Sequence, residues 1–244
     1  MIDIHCHLLP NIDDGPDTWA ESLDLARLCS EEGVEIAVTT PHWIKGSGWE
    51  PEPELIKSMV DELNEKLEKS TIPLSVLPGM EVGIAENLIN LLHDGEILTI
   101  GGGSYILLET PFISIPYGTE EIIFGLKGSG VIPIFAHPER CLEIQSSPKR
   151  LNDLLDTGAL IQVTTSSILG FFGRSAKECA IRLAKEGLIH LFASDAHSPT
   201  NRPPIINKAY SALDNIIGQE NTNALKLRAS QITKKILDNN TPMP

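Results

Sequence analysis

The sequence is poor in cysteine, and the cysteines that it has form no metal-binding or redox pair. Four are scattered over 244 residues without a Cys-x-x-Cys motif, which argues against a disulfide framework and a thiolate zinc site. None has an arginine six positions later, as the phosphate loop of a cysteine-dependent phosphatase requires. A Walker-type phosphate loop and a Gly-x-Ser-x-Gly nucleophile elbow are also missing. These absences exclude several common covalent and nucleotide-binding chemistries.

Basic residues and long apolar runs are scarce as well. The chain has 19 Lys and Arg against 33 Asp and Glu, a net charge of -14. Because such a surface repels a phosphate backbone, we expect no nucleic-acid partner. No apolar run approaches the ~20 residues of a membrane span, and the opening residues lack the basic-then-apolar pattern of a secretory signal. We therefore expect a cytoplasmic protein without membrane insertion.

Strand-like and helix-like stretches alternate along the whole chain. One helical stretch, ending near Lys69, places Leu55, Met59, Leu63 and Leu67 at helical spacing. Strict alternation of this kind favours a parallel sheet wrapped by helices. The predicted strands are 2–7, 35–40, 74–77, 105–108, 131–136, 160–163 and 189–193.

The carboxyl ends of these strands carry His, Glu or Asp almost without exception. In a β/α barrel the chemistry lies at that end, on residues from several strands, whereas an open doubly wound sheet gathers its ligands at one switch point. Six strands contribute here, so the sequence predicts a distorted seven-stranded β/α barrel, a single domain over residues 1–244. The doubly wound sheet is the alternative.

Nitrogen and oxygen donors make up the candidate set, and they are about right in number for two or three metals. His5 and His7 lie two apart on a strand, so their imidazoles face the same way. A set without sulfur selects manganese, iron or zinc. The candidate metal ligands are His5, His7, Asp14, His42, Glu81, Glu109, His137, Asp195 and His197.

Hydrolysis of a phosphate ester suits a metal cluster with an arginine beside it. Metals lower the pKa of a bound water and clamp the phosphoryl oxygens, and a guanidinium grips phosphate with its planar fork. Arg140, three residues after His137, is the candidate for that grip, with a surface ion pair to Glu139 as the alternative. His93 and His190 fall away from strand ends, and we interpret both as structural.

Seven short motifs together resemble the polymerase and histidinol phosphatase (PHP) superfamily, and within it the bacterial capsule-type, manganese-dependent protein tyrosine phosphatases. The likeness spans essentially the whole chain. The motifs are His5-Cys6-His7, Asp13-Asp14-Gly15, Thr40-Pro41-His42, Gly79-Met80-Glu81, Glu109-Thr110-Pro111, His137-Pro138-Glu139-Arg140 and Ser194-Asp195-Ala196-His197.

The resemblance implies a PHP-type barrel with a trinuclear site. One metal is expected on His5, His7, Glu81 and Asp195, a second on Glu81, Glu109 and His137, and a third on Asp14, His42 and His197. Asp13 is the alternative to Asp14.

The resemblance also implies a substrate and a partner. Phosphotyrosine is expected to be hydrolysed by metal-activated hydroxide, with Arg140 on the phosphate and His42 and His197 beside the leaving group. The expected partner is a membrane-associated bacterial tyrosine kinase that controls capsule or exopolysaccharide export. The rival hypotheses are a small-molecule phosphatase acting on histidinol phosphate, a metal nuclease, and a non-catalytic kinase-binding barrel.

Two features bear on substrate recognition. The stretch Thr164-Thr165-Ser166-Ser167 departs from the family pattern, so its substrate contacts cannot be carried over. Several aromatic residues in loops after strands could flank a phosphotyrosyl ring, with simple packing as the alternative. They are Trp43, Trp49, Phe112, Tyr117 and Phe171.

Overall fold

A computed structural model describes residues 1–238 of the protein. Within them the strands are β1 (Ile2–Cys6), β2 (Ile36–Thr39), β3 (His42–Trp43), β4 (Ser75–Pro78), β5 (Glu81–Gly83), β6 (Tyr105–Glu109), β7 (Ile132–Ala136), β8 (Leu160–Thr164) and β9 (Leu191–Ala193). The helices are α1 (Trp19–Glu31), α2 (Pro53–Lys69), α3 (Leu88–His93), α4 (Thr119–Gly128), α5 (Leu142–Ser146), α6 (Pro148–Asp156), α7 (Thr165–Leu169), α8 (Gly173–Lys185), α9 (Ile206–Ile217) and α10 (Gln219–Asp238). None of the helices in residues 1–238 is long and apolar enough to span a membrane. The predicted single domain over residues 1–244 includes residues 239–244, which lie outside the described residues.

The strands form two parallel sheets that together make a ring. One sheet has the order β1-β2-β4 and the other β3-β5-β6-β7-β8-β9. Strand β3 follows β2, and β5 follows β4, after breaks of only two residues. The ring closes between β1 and β9, where Cys6 bridges to Ala196 and the N–H of His7 donates to the Ala196 carbonyl at 2.8 Å. The predicted β/α barrel is confirmed.

The predicted second and third strands correspond to β2 and β4, and each is followed after a break by a further short strand that was not predicted, β3 or β5, which gives nine segments where the sequence predicted seven. Proline cannot donate to a sheet ladder, and Pro41 and Pro78 lie at the two breaks. At Gly79 an added Cβ would lie 2.9 Å from a side chain of β2, so only glycine permits this close approach. Beyond the breaks His42 pairs directly with Glu81. The interruptions therefore set these two polar side chains next to each other.

Two apolar clusters stabilise the ring, one inside it and one between it and the helices. Helix α10 supplies Ala229 and Ile236 to the inner cluster and lies against β1, β9 and the turn that precedes β6. It thereby covers the amino-terminal end of the barrel. The inner cluster consists of Ile4, Val38, Ile100, Tyr105, Leu107, Ile134, Ala136, Leu191, Ala193, Ala229 and Ile236.

The buried face of α2 differs from the predicted one. Leu55 is exposed and Met59 only partly buried, whereas Ile56 and Val60 are buried together with Leu63 and Leu67. Residues four apart share a face of a helix. Leu55 and Met59 satisfy this spacing, and so does the neighbouring pair Ile56 and Val60. The prediction was therefore wrong by one position in the first half of the helix.

A bulge in β1 lets consecutive residues face the barrel interior. Asp3 pairs with Ala37 and Cys6 with Thr39, so three steps along β1 match two along β2. Strict alternation of side chains fails at such a bulge. Ile4 packs in the inner cluster, and His5 still faces the carboxyl end of the barrel interior.

The side chain of Asp3 fastens this bulge to β9. It is buried, and its Oδ1 accepts the N–H of His5 at 3.3 Å and that of Ser194 at 3.2 Å. One carboxylate therefore fixes the backbone of His5, a candidate ligand, and that of Ser194, the residue before the candidate ligand Asp195.

We expect Asp3→Ala to lower the free energy of unfolding by about 2–4 kcal/mol, because two buried N–H groups lose their acceptor. Chemical denaturation monitored by circular dichroism measures the change. Asp61→Ala, on the exposed side of α2, is the matched control and should stay within about 0.5 kcal/mol of the parent. Equal stabilities for the two variants would contradict the role given to Asp3.

Candidate metal centre

The nine predicted donors converge at the carboxyl end of the barrel. His5, His42, Glu81 and Glu109 lie in β1, β3, β5 and β6, and the other donors follow strand ends. Within each of four overlapping groups, the ligand atoms lie within 4.8 Å of one another. The groups are His7-Asp14-His42-His197, His5-His7-Glu81, His5-His137-Asp195 and His42-Glu81-Glu109.

These groups differ in part from the three sets that the resemblance implies. Asp14, His42 and His197 come together as expected, with His7 as a fourth member. Glu109 groups with His42 and Glu81, whereas His137 groups with His5 and Asp195. The assignment of ligands to individual metals remains a prediction.

Glu81 occupies the centre of the cluster. Its Oε2 lies 3.2 Å from His5 Nε2, 3.2 Å from His42 Nδ1 and 3.5 Å from His7 Nε2. Its Oε1 lies 2.7 Å from His137 Nε2. The carboxylate is fully buried, and burial alone would raise its pKa, but the surrounding imidazoles of His5, His137 and His42 hold the pKa well below its usual range.

Three of the imidazoles are oriented by an acceptor on their far side. His5 Nδ1 donates to Gln162 Oε1 at 3.0 Å, His7 Nδ1 to Asp13 Oδ2 at 2.6 Å, and His197 Nδ1 to the Asp195 carbonyl at 3.0 Å. A metal-bound histidine typically donates its second N–H in this way, which fixes the tautomer and frees Nε2 for the metal. Gln162 was not predicted as a site residue; a single polar residue within an apolar strand was its only signal.

The structure separates the two neighbouring aspartates. Asp13 points away from the cluster centre and accepts from His7, from the N–H of His42 at 3.0 Å and from the N–H of Gly15 at 2.9 Å. Asp14 Oδ1 lies 3.3 Å from Nε2 of both His42 and His197. Asp14 therefore lies among the grouped donor atoms, whereas Asp13 holds the His7 ring and the backbone of His42 and Gly15.

Two candidate ligands have left-handed backbones. His137 has a φ of 37° and Asp195 a φ of 51°. Aspartate and histidine tolerate this region better than most residues, and such strain concentrates at functional sites. Hydrogen bonds hold both turns, because the N–H of His137 donates to the Gln162 carbonyl and that of Asp195 to the His5 carbonyl, each at 2.8 Å.

The donor chemistry fits divalent metals. Within the described residues, His137 Nδ1 is buried without a hydrogen-bond partner, and His42 Nδ1 and His197 Nε2 face carboxylate oxygens at 3.2 and 3.3 Å without hydrogen-bond geometry. Buried polar atoms without partners are costly, so these ring nitrogens suit a ligand that the protein itself does not provide. Oxygen and imidazole donors without sulfur are typical of manganese, iron or zinc.

Two arginines, not one, reach the cluster edge. Arg140 donates to Asp195 Oδ2 and to Thr164 Oγ1 at 2.9 Å, and Arg202 donates to the same Asp195 oxygen at 2.9 Å. Both guanidinium groups lie over Phe172, at 3.6 and 5.7 Å from the ring centroid. Arg202 was not predicted as a site residue, although it follows the Ser-Asp-Ala-His motif closely.

Glu139 contacts other residues than Arg140, the ion-pair partner that the sequence suggested. Its carboxylate is buried and accepts from the N–H of Thr164 at 3.1 Å and from the hydroxyl of Ser167. The surface ion pair between Arg140 and Glu139 is thus replaced by a buried contact to the segment after β8. Thr164, in the stretch that departs from the family pattern, also accepts a hydrogen bond from Arg140 at 2.9 Å and so holds its guanidinium directly. His93 ends α3 and His190 accepts the N–H of Ile161, both away from the cluster.

The imidazoles divide into two groups by their pKa. Against the effect of its burial, the pKa of His7 is raised by Asp13 and Glu81. Burial opposes protonation of His5 and His42, but Glu81 and further carboxylates outweigh it and raise the pKa to about 9 for His5 and about 10 for His42. Burial lowers the pKa of His137 and His197 to about 4, with Arg140 and His7 acting in the same direction. Burial and the nearby charge of Glu81 raise the pKa of Glu109 to about 7.

We expect metal binding to the metal-free protein to release at least about two protons per chain at pH 7, because His5 and His42 are then protonated, and His7 and Glu109, whose pKa values are also raised, add to the release. For the same reason the apparent affinity for Mn²⁺ should rise with pH from 7 towards 10. Calorimetric titrations in two buffers of different ionisation enthalpy measure the release. Binding without proton release at pH 7 would contradict these pKa directions.

Comparisons with known proteins identify the family of the chain. Residues 1–236 match the family model described as "Capsular polysaccharide synthesis, CpsB/CapC". Tyrosine-protein phosphatase YwqE of Bacillus subtilis is 39% identical over 220 residues, covering 90% of this chain and 86% of the relative. Tyrosine-protein phosphatase CpsB of Streptococcus agalactiae serotype III is 29% identical over 236 residues, covering 95% and 97%.

A solved structure extends the likeness to three dimensions. It comes from work on YwqE of Bacillus subtilis and CpsB of Streptococcus pneumoniae, described as metal-dependent tyrosine phosphatases. The match has a TM-score of 0.91 at 36% identity and covers 100% of this chain and 96% of the other. The protein therefore belongs to the CpsB/CapC family of capsular polysaccharide synthesis.

Proposed function

We propose that this protein is a metal-dependent protein tyrosine phosphatase. The observation that carries the proposal is the juxtaposition of a nine-residue donor cluster with Arg140 and Arg202, which meet at Asp195. Within the described residues, the Nε atoms of both arginines are buried without a hydrogen-bond partner. Arg140 donates to Asp195 and Thr164 only through Nη2, so within the described residues its Nη1 is the N–H group left for a phosphate at the cluster edge. The names of the family relatives support the same activity.

The proposed ligands are the nine clustered donors, and Mn²⁺ is the proposed metal, with iron or zinc as alternatives. When bound, such metals supply Lewis-acid chemistry: they lower the pKa of water and offset negative charge on the phosphoryl group. They would also balance the four carboxylates of the cluster, Asp14, Glu81, Glu109 and Asp195.

The side chains of the chain itself position the substrate. Arg140 and Arg202 bind the phosphate oxygens and neutralise the charge that develops there. The barrel walls bury the imidazole donors, Glu81 and Asp195 and so limit the access of bulk water to the phosphate, which strengthens these interactions. His42 and His197 lie beside the departing phenolate, which needs only modest proton assistance because a tyrosine phenol has a pKa near ~10.

The proposed substrate is a phosphotyrosine protein, and the proposed partner is a membrane-associated bacterial tyrosine kinase of capsule or exopolysaccharide synthesis. The family description supports this partner, since it connects the chain with capsular polysaccharide synthesis. We place the protein in the cytoplasm, where the phosphorylated part of such a kinase lies.

We expect phosphate release from a phosphotyrosine peptide in the presence of Mn²⁺, its loss with chelator, and little release from histidinol phosphate. Malachite-green measurement of free phosphate compares the two substrates, each with Mn²⁺ and with chelator. A preference for histidinol phosphate would support the small-molecule phosphatase instead. Inactivity on both substrates with metal bound would favour a kinase-binding barrel.

We expect Arg140→Ala to lower kcat/KM for the phosphotyrosine peptide about 10- to 100-fold, mainly through KM, because a charge-assisted contact to phosphate is lost. Metal content by mass spectrometry should not change. Arg174→Ala, on the exposed surface of α8, serves as control and should stay within about twofold of the parent. Loss of metal from the Arg140 variant would contradict its assignment to phosphate.

A further inference from the structure

Two exposed aromatic rings lie directly against candidate metal ligands. Trp49 stacks on His42, with ring centroids 5.2 Å apart and an angle of 13° between the planes. Phe112 stacks on His137 at 6.2 Å and 15°. Trp49 is 37% exposed and Phe112 55% exposed, so each ring covers an imidazole and still presents apolar surface to the outside.

The loop of Trp49 is shaped by hydrogen bonds. The N–H of Ile44 donates to the Trp49 carbonyl at 2.7 Å, and the N–H of Trp49 donates to Ser47 Oγ at 3.0 Å. Gly46 donates its N–H to Glu50 Oε1 at 2.6 Å. The indole therefore occupies a defined place after β3.

The loop of Phe112 is fixed in the same manner. Its carbonyl accepts the N–H of Leu142 at 2.9 Å, and the next carbonyl, that of Ile113, accepts the N–H of Glu143 at 3.1 Å. The carboxylate of Glu143 accepts the N–H of Ile115 at 2.8 Å. The backbone of this loop is thus tied to the segment that follows the His-Pro-Glu-Arg motif.

The other predicted aromatic residues do not share this placement. Trp43 is buried in the outer apolar cluster, and Tyr117 is fully exposed. Among the described residues, Phe171 and Tyr117 have no stacking contact with a site imidazole. Only Trp49 and Phe112 combine contact with a donor imidazole and an outward apolar face.

The two rings and the arginines reach the rim of the site from different strands. Trp49 and Phe112 follow β3 and β6, whereas Arg140 and Arg202 lie beyond β7, the neighbour of β6, and β9. Since the donor imidazoles are almost completely buried, only the phosphate can enter the cluster. The organic part of the ester must then remain at the mouth, where the rings offer flat apolar surface.

We propose that Trp49 and Phe112 form the subsite for the aromatic ring of the substrate and select aryl phosphates over alkyl phosphates. This inference rests on the proposed phosphatase function. Aromatic rings that stack or meet edge to face gain about 0.5–1.5 kcal/mol beyond the area that they bury, and an alkyl ester gains none of it. A tyrosine side chain would thus be preferred for its ring as well as for its leaving group.

Two inhibitors isolate the ring contact from chemical reactivity. Phenylphosphonate and methylphosphonate share the phosphonate group and differ in the ring, and neither is hydrolysed. Inhibition constants are measured with the Mn²⁺-loaded protein and with its Trp49→Leu and Phe112→Leu variants. Phe124→Leu is the matched control, because Phe124 is 63% exposed on α4.

We expect each rim variant to raise the inhibition constant of phenylphosphonate about three- to tenfold. The constant for methylphosphonate should change less than twofold, metal content should not change, and Phe124→Leu should match the parent. Parallel weakening of both inhibitors, loss of metal, or no weakening at all would overturn the proposal, since rings that only shield the imidazoles would give one of these results.

Turnover by the parent separates this inference from the proposed function. If the parent hydrolyses the phosphotyrosine peptide but the variants bind phenylphosphonate normally, the ring subsite fails alone. If the parent fails to hydrolyse the peptide while the variants lose phenylphosphonate selectively, the tyrosine phosphatase function fails and the subsite stands.

Discussion

The rest of the site depends on a single buried carboxylate that is surrounded by imidazoles. Glu81 is inaccessible to solvent, yet it contacts His5, His7, His42 and His137 at 2.7–3.5 Å. A buried charge is tolerated only when opposite charge and hydrogen bonds compensate it. In the protein alone, protonated imidazoles and two arginines compensate the carboxylates. Divalent metals would replace those protons, so affinity for metal and affinity for protons are two consequences of the same arrangement.

The fold provides this arrangement through several small deviations from regular geometry. Prolines interrupt two strands and bring His42 beside Glu81. A bulge fastened by Asp3 directs His5 into the barrel. Left-handed turns at His137 and Asp195 direct two further donors towards the same point. Each deviation costs stability locally, and the closed ring with its capped amino-terminal end supplies the stability that offsets the cost.

Much of this was predictable from the sequence, because parallel strands carry their functional residues at one end. The barrel and the convergence of all nine donors follow from that rule. Contacts that depend on closure of the ring were not predictable: Gln162 orients His5 across 157 residues, and Arg202 shares Asp195 with Arg140. The roles of Asp13 and Asp14 depend on the backbone of a turn. The buried face of α2 could not be predicted either, because two neighbouring sets of apolar residues have the same helical spacing and only packing selects between them.

The central claim is that this donor cluster holds the metals on which hydrolysis depends. Anomalous diffraction from crystals of the active, manganese-loaded protein tests it most directly. We expect anomalous peaks within coordination distance of Glu81 and of the imidazole nitrogens around it, with Asp14 among the ligands and Asp13 outside them. An active protein whose manganese peaks lie away from these donors would contradict it.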